Sequence, residues 1–170
     1  MRKLVRITNV IDAISRWSGY AVMYLAVALA LLMTIEVVCR YGFNSPTVWA
    51  TESCILVFGV YILLSGAYVL LVRGHVTMDA VYSRFSLRGK AILDIVTSTF
   101  FFLFVGILLW KGVPTAIKCI VLGEHSQSPW GAPFWPMKVA IPLGAFLILQ
   151  QGLVKLIRDL HIAVTGRKLV

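Results

Sequence analysis

Four stretches of this chain are apolar for long enough to cross a lipid bilayer, and nothing else in the sequence constrains its fold so tightly. A helix rises about 1.5 Å per residue, so a hydrocarbon layer of about 30 Å asks for roughly 20 apolar residues in a row. Segments 17–39, 46–72, 91–110 and 134–157 meet that length. Arg40 closes the first, and Arg73-Gly74-His75 closes the second. The composition agrees. Hydrophobic residues make up 59% and charged residues 14% of the chain, and mean hydropathy is +0.88. A soluble core cannot absorb so many apolar side chains, whereas a bilayer requires an apolar outer surface. The expected fold is an all-α membrane protein with four transmembrane helices, read as one membrane domain over residues 1–170.

The first apolar block is read as an uncleaved span. It has a basic leader, but it exceeds the usual signal-peptide core of about 7–15 residues and no small-x-small cleavage site precedes a mature domain. The formal charge of +9 does not indicate nucleic-acid binding, because the cations sit between apolar blocks and form no dense patch. Their distribution sets orientation instead. Arg2, Lys3, Arg6 and Arg16 precede the first span; Arg73, Arg84, Arg88 and Lys90 occupy the central loop; Lys155, Arg158, Arg167 and Lys168 follow the fourth. Thus 12 of the 16 basic residues fall on one side, against Arg40, Lys111, Lys118 and Lys138 on the other. The positive-inside rule places both termini and the 73–90 loop in the cytoplasm, and the 40–48 and 111–136 connections outside.

Shorter pieces fit around the spans. Leu4, Ile7, Ile11 and Ile14 recur at helical spacing among Arg2, Lys3, Arg6, Asp12 and Arg16, which predicts an amphipathic interfacial helix over 1–16; a cytoplasmic extension of the first span is the other reading. Met78, Val81, Tyr82 and Phe85 predict a short interfacial helix in the cytoplasmic central loop. The third helix is expected to outrun the bilayer to about residue 122, kinked near Gly112 and Pro114, with Lys111, Thr115 and Lys118 on one face. Pro129, Pro133 and Pro136 predict an irregular outer connection, where Trp130 and Trp135 suit the headgroup level as anchors among membrane phospholipids. Residues 158–170 read as a cytoplasmic tail.

Ionisable groups near the spans are few, and they are the first place to look for function. Glu36 and Arg40 form an i,i+4 pair in the favourable order. The short 41–48 loop makes the first two helices antiparallel neighbours, so Arg40 can meet Glu36 or Glu52. Asp94 is expected to stabilise the start of the third helix. Gln150-Gln151 is suited to hydrogen bonding between helices. Cys39, Cys54 and Cys119 are widely spaced and read as small apolar residues, with a Cys39–Cys119 disulfide as an alternative. His75, His125 and His161 lie at or beyond span ends, which gives no paired haem ligands. No catalytic motif, cofactor site or metal site is expected. The apolar midplane and the lack of repeated halves also differ from a self-sufficient secondary transporter.

The string Arg40-Tyr41-Gly42-Phe43-Asn44-Ser45-Pro46 with Trp49 and Glu52, then Gly66-Ala67, then Gly74-His75-Val76 with Asp79, and finally Ile141-Pro142-Leu143-Gly144, resembles the small membrane subunit (DctQ type) of tripartite ATP-independent periplasmic (TRAP) transporters. Order and spacing agree over nearly the whole chain. The resemblance implies a non-catalytic subunit in a bacterial inner membrane, partnered with a large polytopic membrane subunit and a periplasmic substrate-binding protein. It also implies sodium-coupled symport of organic acids through the large subunit, which the small one braces. Arg40, Glu52, Glu36, His75 and Asp79 then become structural or subunit-interface residues. The competing reading is a small self-contained proton-coupled exporter, a homodimer working through Glu36.

Overall fold

The computed structural model describes residues 2–72 and 87–165, and these residues are helical apart from the connections. Helix α1 runs from Arg2 to Val37 and passes into a π-helical turn at Val38–Gly42. Helix α2 covers Val48–Leu71, α3 covers Leu87–Leu122 and α4 covers Trp135–Thr165. All four are long and apolar enough to cross a membrane. His75, Asp79 and the expected central-loop helix lie outside the described residues, as does the end of the tail from 166 onward.

The helices form a row. Helix α3 packs on α4, α4 on α2, and α2 on α1, while α1 touches α4 more sparingly. The central position of α4 shows in its burial: 33% of its apolar window is inside the protein, against 6–11% for the other three. Glycines let neighbours in the row approach closely. A Cβ at Gly144 would run into the backbone carbonyl of Leu63 on α2, and one at Gly152 into the ring of Phe101 on α3.

Three boundaries differ from the sequence-based expectation. No break separates residues 2–16 from the span, because α1 is one continuous helix of 36 residues. Its polar residues do not all face outward: Asp12 and Ser15 are buried against α4. The stretch 158–165, expected as tail, continues α4, where Arg158 and the buried Asp159 belong to its packed C-terminal end. Helix α3 begins at Leu87, so Asp94 sits two turns in and not in the first turn.

The expected extension of α3 beyond residue 110 is helical to Leu122, and the helix continues through Gly112 and Pro114. It stops in a Schellman arrangement. Gly123 takes a positive φ of 56°, its N–H bonds the Ile120 carbonyl at 3.3 Å, and the Glu124 N–H bonds the Cys119 carbonyl at 3.1 Å. The connection beyond it folds back on itself through a bridge between His125 and Pro133. All three cysteines are free, so the alternative Cys39–Cys119 disulfide is not formed.

Candidate functional site

Among the described residues, charged side chains are missing from the middle of every span, and the polar groups collect at the two ends of the row. Each end has its own network.

At the hairpin end, Glu36 is the hub. Oε1 accepts from Arg40 Nε at 3.0 Å and from Arg40 Nη2 at 2.5 Å. Oε2 accepts the Thr47 backbone N–H at 3.1 Å and also the Thr47 hydroxyl. Thr47 is the residue before α2, so its N–H would otherwise lack a partner as an orphan of the helix start. Glu36 therefore joins the end of α1 to the start of α2. The π-helical turn matters here, since the extra residue of a π-bulge rotates the side chains beyond it to a new face. Its exit is held by the Ser45 N–H on the Cys39 carbonyl at 3.0 Å, and Asn44 takes a positive φ of 49°. The Glu36 side chain is 8% exposed and Arg40 47%, so this is a carboxylate sealed beneath a cation that reaches the rim.

Of the two partners the sequence offered Arg40, the structure selects Glu36. Glu52 serves another contact: its Oε1 accepts from Ser126 Oγ at 2.9 Å, which ties α2 to the α3–α4 connection. Its Oε2 is buried with no hydrogen-bond partner. That connection is further held by Glu124, paired with Lys138 on α4, and by the Ser126 N–H on the Ala132 carbonyl at 2.8 Å. The Lys138 ammonium, by hydrogen bond and by charge, keeps the Glu124 carboxyl below its ordinary pKa against a smaller opposing effect of burial. Trp130 and Trp135 are both half-exposed on this side.

At the opposite end, Gln151 on α4 is almost fully buried and satisfied on both sides of its amide. Ser15 Oγ donates to its Oε1 at 2.8 Å, and its Nε2 donates to Asp12 Oδ1 at 3.0 Å. Arg158 Nη2 closes the network on Asp12 Oδ2 at 2.5 Å. Asp94 on α3 pairs with Lys155 at 3.5 Å. The sequence marked Gln151 as a helix-joining residue but assigned Asp12 and Arg158 to surface and tail. The small polar series Thr8, Asp12 and Ser15, at helical spacing on one face and free of the long cations around it, is the signal that could have raised Asp12.

These arrangements can fasten helices to one another. Every hydrogen bond to Glu36 comes from a fixed donor of its own hairpin, so nothing in its geometry supports a mobile proton or cation site. His125 Nδ1 contacts the Gly123 carbonyl, and among the described residues no three His, Cys, Asp or Glu side chains converge as metal ligands.

Residues 29–161 match the family model described as tripartite ATP-independent periplasmic transporters, DctQ component. No curated protein matches the chain.

Proposed function

The chain belongs to the DctQ family of TRAP transporter components, and from that premise we propose that it braces the large transport subunit in the membrane and does not itself carry the solute. The family implies partnership with a large membrane subunit and a substrate-binding protein. The observation that carries the bracing role is the placement of charge. The midspan positions of all four helices hold no Asp, Glu, Lys or Arg, while Glu36, Glu52, Asp12 and Arg158 at the two ends each make contacts that join elements of this chain. A site that binds and releases a charged solute needs polar groups at the midplane.

In this reading the transporter takes up organic acids across a bacterial inner membrane by sodium-coupled symport. The termini lie in the cytoplasm, in keeping with the distribution of Lys and Arg, and the hairpin and the 123–134 connection face the periplasm. There Trp130 and Trp135 sit among phospholipid headgroups. The family resemblance assigns His75 and Asp79 to the structural or subunit-interface residues of this reading.

The test is purification of the tagged chain from native membranes in mild detergent, with mass spectrometry of the proteins that co-elute. The expected result is one much larger polytopic protein in a stable complex. Uptake by that complex in proteoliposomes should need the binding protein and an inward sodium gradient, and should survive Glu36→Gln at reduced complex yield. A chain that elutes alone or as a folded homodimer would overturn the proposal, as would uptake that Glu36→Gln abolishes in an intact complex.

A further inference from the structure

The surface along α1 and α2 near the hairpin carries a groove with two chemically different ends. One part is a shallow, open hollow of about 420 Å³ lined by apolar side chains, including Leu29, Ala30 and Phe58. Met33, Cys54 and Ile55 continue that wall into a second hollow of about 340 Å³, where Glu36, Arg40 and Thr51 appear. Leu29 to Arg40 spans about 16 Å along the helix. The groove thus runs as one channel from an apolar floor to a cation.

Arg40 has donors to spare. Both of its hydrogen bonds, from Nε and Nη2, end on Glu36 Oε1, while a guanidinium carries five N–H groups. Nearly half of the side chain is exposed. Glu36 has no such freedom, since its second oxygen is taken by Thr47. Tyr41, which lines the same hollow, is an exposed aromatic residue of the kind that settles at headgroup level.

We infer that this groove is a phospholipid site, with one acyl chain against Ala30 and Phe58 and the phosphodiester on the free N–H groups of Arg40. Charge complementarity selects the occupant: an apolar chain that ends in an anion matches a groove that ends in a partly unsatisfied guanidinium. A uniformly apolar transmembrane helix of a partner would fill the apolar part but would leave those donors unanswered. The lipid belongs to the leaflet on the hairpin side. It lines the α1–α2 seam and fills space that the helices themselves leave open.

The test uses the full chain purified with its bound partner, delipidated in detergent and titrated while native mass spectrometry reads occupancy. The probes are dioleoylphosphatidylglycerol, dioleoylglycerol with the same tails and no phosphate, and inorganic phosphate. The phospholipid should bind about tenfold more tightly than the diacylglycerol, as loss of a charge-assisted contact implies. Inorganic phosphate should leave no adduct. Arg40→Gln should erase the margin between the two lipids. Ala30→Phe, which fills the groove and leaves the Glu36 contacts in place, should weaken both. Equal binding of the two lipids by the unaltered chain would overturn the inference, and so would unchanged binding in Ala30→Phe. A photo-crosslinker at Ile55 that attaches to the large subunit in native membranes, and not to lipid, would overturn it as well.

Discussion

Asp12 and Arg158 stand 146 positions apart in the chain and meet at 2.5 Å, so that the first turns of α1 are fastened to the last turns of α4. Asp12 also accepts from Gln151, which in turn accepts from Ser15. Within this network the Asp12 side chain is 12% exposed and that of Arg158 33%. Removal of one partner leaves the other charge unanswered in a poorly solvated place, a larger cost than the worth of the pair itself. Arg158→Ala should therefore lower unfolding free energy in detergent by about 1–3 kcal/mol. Asp12→Ala combined with Arg158→Ala should cost less than the sum of the two single changes, as a thermal or denaturant double-mutant cycle would read. Strict additivity would remove the coupling.

Glu36 receives four hydrogen bonds and donates none. A carboxylate suits that site because it is only an acceptor. Glu36→Gln would turn an amide donor toward Arg40 or Thr47, which also donate. It should cost more stability than Arg40→Ala, which leaves the Thr47 contacts in place. Arg40→Ala should in turn cost more stability and complex yield than Lys118→Ala, for Lys118 lies exposed on the outer part of α3. Melting temperatures of the three variants in one detergent check the order.

Ser126 supplies the hydrogen bond that Glu52 Oε1 accepts, and Glu52 Oε2 has no partner. Ser126→Ala should leave the carboxylate without that donor at a cost of about 1–3 kcal/mol. The added Glu52→Met change, which removes the stranded charge, should recover part of it. Limited proteolysis of the 123–134 connection would report the loosening directly.

Two glycines should behave in opposite ways. A methyl at Gly144 meets the Leu63 backbone carbonyl, which cannot rotate away, so Gly144→Ala should force α2 and α4 apart and destabilise the row. A methyl at Gly106 meets nothing within 4 Å. Gly106→Ala should be neutral or stabilising by up to about 1 kcal/mol through helix propensity alone. Unfolding in a graded mixture of mild and harsh detergent separates the two.

The pairing of Glu124 with Lys138 predicts a pH response of the α3–α4 connection. Because the folded-state pKa of Glu124 is lowered from 4.5, the contribution is present above that unfolded value and is lost as pH falls through the lower folded one. Hydrogen exchange in residues 123–134, taken relative to the intrinsic amide rate at each pH, should be slow at neutral pH and quicken in acid below pH 4.5. Glu124→Gln should show the quicker exchange already at neutral pH.

Four helices able to cross a membrane were legible in the residues alone, because a bilayer sets span length and apolar character with few exceptions. The sequence also narrowed the partner of Arg40 to two carboxylates, since i,i+4 spacing and a short hairpin are local geometry. Only the tertiary structure decided which carboxylate. That choice depends on how the π-helical turn aims Arg40 and on Thr47 arriving at the other oxygen, neither of which periodicity encodes. The same holds for Asp12, Gln151 and Arg158. A polar residue on a helix reads as surface until a neighbour distant in sequence covers it, and here the covering helix is α4, lying between α2 and α3 in the row. Which side chains are lipid-facing and which are buried comes from that order of helices, because a helix in a row hides only the flanks its neighbours touch.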